Sequence, residues 1–281
     1  MRSGSTETFF ERVEVAQMGK LFAVVLVLIT LASVYPIVAH TWWLPPTIST
    51  TGPGVDRQMD ETMLESGILF ISSQLILAGF VWAFGGRKGK IKNWPGGYKP
   101  VMAFGIIIVG LEILSLTFVG SKVWAAMYMV PPDPHALHVD VQAEQFAFFF
   151  RYAGPDGVFG GIHPEKISDA SGNYFGLDPE NDVAARDDIV VGSLTIPVNT
   201  PILLTIHSKD VIHNFYVPEL RLQQDIVPGL DIPLHFTATK TGHYEIVCTQ
   251  LCGLGHYSMR AFLDVMSQSD FDAWLKQQSG D

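Results

Sequence analysis

The sequence predicts membrane-spanning helices followed by a small Greek-key β-sandwich or barrel. Two observations lead to this fold class. Long apolar runs occupy much of the first 128 residues, and from residue 135 they give way to short β-branched and aromatic stretches separated by turn residues. The composition agrees, because 48% of the 281 residues are hydrophobic and the mean hydropathy is +0.25. A membrane-anchored all-β protein is therefore expected.

Three predicted spans, residues 21–39, 66–86 and 100–128, are long enough to cross a bilayer core of roughly 30 Å as helices. Residues 1–20 are expected to form a cytoplasmic tail. The first run follows two basic residues and also fits the apolar core of a cleaved signal peptide. Its 19 residues are long for such a core, so a third span is preferred. Glu112 interrupts the last span.

The loop between the second and third spans predicts the orientation. It reads RKGKIKNWPGGYK and has five basic residues and no acid. Short basic loops stay in the cytoplasm, so the chain after residue 128 is expected on the outer, periplasmic side of a bacterial-type inner (plasma) membrane. That part, residues 132–281, contains 20 acids and 8 Lys or Arg residues. Its negative charge disfavours nucleic acid as a partner and favours encounter with a basic protein.

Residues 135–281 predict the external β domain. Segments such as LHVDVQAEQFAFFFRY and LDIPLHFTATKTGHYEIVC are typical of short strands joined by turns, which together form a sandwich or barrel. Residues 152–188 are rich in Gly, Pro, Asn and Asp. This stretch is expected to be a long loop insertion between strands.

The segment VCTQLCGLGHYSM concentrates residues that bind metals. It contains Cys248 and Cys252, the two cysteines of the chain, together with His256 and Met259. A disulfide would suit the outer compartment but would leave the imidazole and the thioether unexplained. Zinc would leave the thioether unexplained, and a second histidine is missing nearby. Copper explains all four, because thiolate, imidazole and a weak thioether are the ligands of copper electron-transfer sites.

A second imidazole for such a site is expected from His213, which ends an apolar stretch 35 residues before Cys248. A mononuclear copper site of this kind takes one thiolate. Since this chain offers two, the residues suit a pair of copper ions that share both sulfurs.

These residues resemble subunit II of haem–copper oxidases, the cytochrome c oxidase family with a dinuclear copper centre in a cupredoxin-like domain. The family's pattern is Asp-Val-x-His followed by Cys-x-Glu/Gln-x-Cys-x₃-His-x₂-Met. Asp210–His213 and Cys248–Met259 match it, and the resemblance extends over about residues 60–270. The resemblance assigns as copper ligands the bridging thiolates of Cys248 and Cys252, the imidazoles of His213 and His256, the thioether of Met259 and the main-chain carbonyl of Gln250.

The function that the resemblance implies is electron transfer within an oxidase. Single electrons would pass from cytochrome c, or an equivalent haem donor, to haem in subunit I for dioxygen reduction coupled to proton translocation. No residue of this chain would take part in the oxygen chemistry itself. Asp210 is expected either to orient His213 or to be a plain turn residue. Subunit I, other subunits of the complex and membrane lipid are the expected partners of the spans.

Three departures from the family's pattern modify this expectation. Gln250 stands where many members have Glu, and a neutral amide is a weaker ligand for the magnesium or manganese ion held at the subunit I interface. Phe146 and Phe148 stand where the family has a tryptophan patch that receives the electron, so the donor is expected to differ from ordinary cytochrome c. The alternative is that both phenylalanines only pack in the core of the sheet. Glu112 lies in mid-span, where a carboxylate is costly and is expected to face protein, as a proton relay or an interhelix contact.

Two alternative functions are retained at this stage. A nitric oxide reductase can use a similar copper subunit, since the reacting metals lie in the partner. A membrane-anchored copper-binding or copper-delivery protein would favour exposed, flexible Met- and His-rich sites. The ligands here lie instead on strand ends and in one tight loop, which favours the oxidase.

Overall fold

The computed structural model describes residues 9–41, 43–85 and 98–279. Their α-helices are α1 Phe9–Val38, α2 Gly52–Phe84, α3 Lys99–Tyr128 and α4 Gln268–Ser279. Their strands are β1 Leu137–Glu144, β2 Ala147–Tyr152, β3 Ile189–Val191, β4 Leu194–Pro197, β5 Pro201–Ser208, β6 His213–Val217, β7 Leu222–Ile226, β8 Ile232–Thr237, β9 Gly242–Val247 and β10 Arg260–Met266.

Three described helices are long and apolar enough to cross a membrane, over Ala16–Val38, Gly52–Phe84 and Lys99–Tyr128. Two of them begin well before the predicted spans, because α1 starts at Phe9 and α2 at Gly52. An apolar run marks only the part of a helix that can lie in the bilayer core. The helix itself continues through polar residues with good helix propensity on either side. The Ser49 hydroxyl accepts the Gly52 N–H and caps the start of α2. The basic loop lies mostly in residues 86–97, outside the described residues.

The described residues divide into two compact units. The helical unit runs up to Trp43 and from Arg57 to Ser121. The β unit combines Leu44–Asp56 with the chain from Lys122 onward. The segment Leu44–Asp56 is an addition to the predicted domain of residues 135–281.

The β unit is a sandwich of two five-stranded sheets. One sheet has the order β3-β2-β1-β5-β8, and the other has the order β4-β10-β9-β6-β7. Most neighbouring strands are antiparallel, but β1 pairs with β5 and β10 with β4 in parallel. Alternate side chains of each strand point inward, as Ile202, Leu204 and Ile206 of β5 do, and they are fully buried.

The segment 44–56 completes this sandwich. Ile48 is buried in its core, and the neighbouring Ser49 forms a bridge with Ala238 after β8. Ile48 also donates its N–H to the Glu219 carbonyl. A single bridge gives no alternating pattern, which explains why the sequence did not predict it as part of the domain.

The long connection between β2 and β3 covers the outer face of the first sheet. Asp140, Gln142 and Glu144 of β1 point away from the core, yet all three are buried. Gln142 donates to the Tyr174 carbonyl in this connection, and Lys209 pairs with both Glu144 and Asp169. The insertion therefore encloses a polar layer between itself and the sheet.

Arg151 is the charged centre of that layer. Its side chain is 2% exposed, and its guanidinium lies 2.8 Å from Asp140 and 3.5 Å from Asp188 and donates to the Gly160 carbonyl. Burial raises the pKa of Asp188 although Arg151 opposes that shift. Arg151 is the guanidinium that both carboxylates share, and a buried unpaired charge is strongly destabilising.

We expect Arg151→Met to lower the free energy of unfolding by about 3–5 kcal/mol, because it leaves two buried carboxylates without their cation. Denaturant unfolding of the detergent-solubilised chain, followed by the fluorescence of the β unit, measures the change. Arg260→Met is the matched control: its ion pair with Glu245 is exposed, and its loss should cost about 0–1 kcal/mol. Equal losses in the two variants would contradict the role given to Arg151.

A candidate metal centre at one end of the sandwich

The connection from β9 to β10 forms a closed loop at one end of the sandwich. It runs from Cys248 to Met259, and the Cys248 N–H donates to the Met259 carbonyl at its base. A short 3₁₀ turn over His256–Ser258 shortens the return to β10. His213, the first residue of β6, lies at the same end because β6 runs antiparallel to β9. The fold thus brings two distant segments together.

Cys252 Sγ lies at the centre of a cluster of ligand atoms. It is 3.9 Å from Cys248 Sγ and 3.7 Å from His256 Nδ1. It is also 3.7 Å from Met259 Sδ. On the other side, Cys248 Sγ lies 3.2 Å from the Gln250 carbonyl oxygen. Both cysteines are free thiols and are buried.

His213 completes the cluster from the other segment. It is fully buried. One of its ring nitrogens and the two cysteine sulfurs all lie within 4.8 Å of one another. Its Nε2 is 2.7 Å from Asp210 Oδ1. Its Nδ1 is buried without a hydrogen-bond partner among the described residues. An unpaired buried nitrogen beside two sulfurs fits a metal ligand, since buried polar atoms otherwise find partners.

Asp210, for which the sequence predicted an orienting role, is the partner of this imidazole. Its other carboxylate oxygen accepts the Gln145 N–H at 2.8 Å. Burial alone would raise the pKa of Asp210, but hydrogen bonds from His213 and from the amides of Gln145 and Val211 hold it below its ordinary value. Asp210 is therefore ionised at neutral pH and can fix the ring orientation of His213.

The protonation of the sulfur atoms follows from their burial. Burial, and then the neighbouring Cys248, raise the pKa of Cys252 to about 11. Without a cation the thiol form is favoured at neutral pH. A metal ion that binds here must displace protons from sulfur, and its positive charge compensates two thiolates that are otherwise costly to bury together.

The two phenylalanines of the predicted electron-input patch have different environments. Phe148 is 2% exposed and packs edge-to-face on Phe215 in the core, with 6.5 Å between ring centroids. Phe146 is 37% exposed and lies over the metal-binding loop. A Cβ on Gly255 would approach the Phe146 ring to 2.4 Å, and one on Gly253 would approach it to 3.1 Å. The electron-input role of both phenylalanines stays a prediction.

Glu112 belongs to the helical unit. It accepts a hydrogen bond from Ser66 of α2 at 3.1 Å, and Ser115 of α3 donates in the reverse direction to Glu65 at 2.9 Å. A groove of about 440 Å³ lies beside both carboxylates. Sequence reasoning did not select Glu65, although an acid at the edge of the second apolar run was a signal. It also missed Gln145, which stands beside Phe146 in the family's aromatic pattern.

The chain is similar to known proteins in sequence and in structure. The family described as cytochrome C oxidase subunit II, periplasmic domain, matches residues 180–266. Alternative cytochrome c oxidase subunit 2 of Bradyrhizobium diazoefficiens is 32% identical over 258 residues, 91% of each chain. Cytochrome c oxidase subunit 2 of Thermostichus vulcanus is 30% identical over 89% of this chain and 83% of its own. The solved periplasmic domain of subunit II of cytochrome oxidase from Bradyrhizobium japonicum is 24% identical over 52% of this chain and 96% of its own, with a TM-score of 0.38.

The helices and the sandwich define a membrane-anchored protein with a cupredoxin-like domain, and this class implies copper at the sulfur–imidazole cluster. Similarity over nine-tenths of the chain then shows the family: the chain belongs to cytochrome c oxidase subunit II. It is a subunit of an oxidoreductase complex, with the electron-accepting role of that family. The predicted fold class and function are confirmed.

We expect Gly255→Ala to destabilise the copper-loaded chain by about 1–3 kcal/mol, because the added methyl group overlaps the Phe146 ring. Combining it with Phe146→Ala should recover part of the loss, since the overlap then disappears. Thermal unfolding of Gly255→Ala and of the double variant measures both effects. Gly192→Ala is the control, because a Cβ there meets no atom of the described residues within 4 Å. A double variant no better than Gly255→Ala alone would show that Phe146 does not cause the strain.

Proposed function

We propose that this subunit holds two copper ions in a shared cage and uses them to take electrons from cytochrome c or a similar haem donor. The observation that carries the proposal is the pair of buried sulfurs, 3.9 Å apart, with different further ligands on each side. The proposed ligands are the bridging thiolates of Cys248 and Cys252, the imidazoles of His213 and His256, the Met259 thioether and the Gln250 carbonyl.

The distribution of ligand atoms favours two ions over one. His256 and Met259 both approach Cys252, whereas the Gln250 carbonyl approaches Cys248. A single copper of the blue type takes one thiolate, so the second sulfur would remain a buried thiol with no role as a ligand. Two ions that share both thiolates give every ligand atom a role.

The chain's own contribution is to fix these ligands before electron transfer. The ligands lie at strand ends and in a loop closed at its base, and Asp210 holds His213. Such a site changes little in geometry when its charge changes, which lowers the reorganisation needed for each transfer. When bound, the copper pair supplies a one-electron carrier between the external donor and the haem of subunit I.

The side of the membrane and the partners follow from charge. The basic loop between the second and third spans favours a cytoplasmic position, which puts the acidic β unit in the periplasm. Its surplus of acids suits a basic cytochrome as donor. The Gln250 side chain is an amide, so a magnesium or manganese ion at the subunit I interface would depend on other ligands.

Electron paramagnetic resonance of the full chain, loaded with copper in detergent, tests the dinuclear site. We expect two copper ions per chain and hyperfine splitting from one electron shared over both nuclei. Cys248→Ser should reduce the metal content to one copper with mononuclear splitting, because a bridging thiolate is lost. One copper in the unmodified chain, or zinc alone, would contradict the proposal. Ser258→Ala is a control within the same loop.

For Glu112 we propose a role in proton exchange with the partner subunit. Its hydrogen bond from Ser66 and the groove beside it support this role, and a mid-span carboxylate is costly unless protein covers it. In purified oxidase reconstituted into vesicles, Glu112→Gln should slow steady-state turnover several-fold while the copper resonance stays unchanged. Glu61→Gln, on the exposed part of α2, is the control. Unchanged turnover with Glu112→Gln would leave an interhelix contact as its role.

A further inference from the structure

Gln145 lies between the two segments that build the metal centre. It follows β1 at the turn into β2. Its main-chain N–H donates to Asp210 Oδ2 at 2.8 Å, and its side-chain amide donates to the Cys252 carbonyl. One residue therefore contacts both the loop before His213 and the loop from Cys248 to Met259.

These contacts form a continuous chain through the site. His213 Nε2 bonds to Asp210 Oδ1, and the other Asp210 oxygen accepts the Gln145 N–H. The side-chain amide of Gln145 then reaches the main chain of Cys252. An imidazole and a central thiol that are 39 residues apart in the sequence are thus held relative to each other by one polar link.

The loop backbone is shaped to allow this link. Gly253 has a φ of +135°, and a Cβ there would lie 2.7 Å from the Gln145 side-chain nitrogen. Glycine is needed at that position both for the backbone conformation and for the close approach. The earlier part of the loop is held separately, because the Thr249 hydroxyl bonds to Asn214 of β6. Gln145 is the corresponding anchor for the Cys252 part.

We propose that Gln145 is a positioning residue of the copper centre, which fixes the His213 and Cys252 halves of the cage relative to each other. The proposal rests on the dinuclear centre described above. It gives Gln145 no direct contact with copper. Its side-chain hydrogen bond determines where the Cys252 sulfur sits, and through it how evenly the shared electron is distributed over the two metals.

Gln145→Met in the full chain tests this role, because methionine keeps the length of the side chain and lacks the donor. We expect loss of copper to a competing chelator to accelerate on the order of fivefold, the factor that corresponds to one net hydrogen bond. We also expect a shift in the reduction potential and a change in the hyperfine splitting. Gln142→Met is the matched control. Gln142 lies on β1, and its side-chain amide also donates to a main-chain carbonyl, that of Tyr174, which lies outside the metal loops.

The outcomes separate the two proposals. If the unmodified chain binds one copper, the dinuclear centre fails whatever Gln145 does. If it binds two, and Gln145→Met matches the unmodified chain in copper release, potential and splitting, the positioning role is overturned. If both Met variants change these properties equally, the effect is one of general stability and the role is again overturned. Gln145→Glu is a second variant in case Gln145→Met fails to fold, because glutamate keeps the shape of the side chain and replaces the donor with an acceptor. It should change the hyperfine splitting at least as much as Gln145→Met does.

Discussion

The burial of two thiol groups within 3.9 Å of each other is the constraint on which the metal end of this molecule depends. Two buried thiolates are costly because they lose their hydration and repel each other, and the raised pKa of Cys252 reflects burial first and its neighbour Cys248 second. Only a cation between them, or protons upon them, satisfies the site. The surrounding structure therefore holds ligands in place for a charge that the protein itself does not supply, and the unpaired His213 nitrogen fits the same requirement.

The support for this centre comes in successive layers. Asp210 is hydrogen-bonded to His213, and Gln145 contacts Asp210 and Cys252. Lys209, next to Asp210, bonds to Glu144 at the end of β1 and to Asp169 in the long insertion. The insertion is thus connected to the metal site through the loop that precedes His213. This connection restrains the loop before His213 from outside the metal cluster.

The sequence predicted those features that depend on residues close together in the chain. The apolar runs predicted the helices that can span a membrane, and the spacing from Cys248 to Met259 predicted which side chains converge. Other features depend on contacts between distant segments. Ile48 carries no strand signal and becomes core only against the finished sandwich. Gln145 is an ordinary polar residue in a turn until the fold brings the Cys252 loop to it, and the burial of Asp140 beneath the insertion has no sequence signal either.

The segment Leu44–Asp56 has a consequence for how the chain threads the bilayer. It precedes α2, while the rest of the sandwich follows α3, and Arg221 pairs with Asp56 across that separation. Two pieces of one folded core must lie in the same aqueous compartment. The chain between them must then cross the membrane an even number of times, so α2 and α3 cross as a pair or not at all. The parity of the topology is therefore fixed by a core contact, independently of which loops carry positive charge. A fragment that begins after α3 would lack Ile48 and leave its place in the core open.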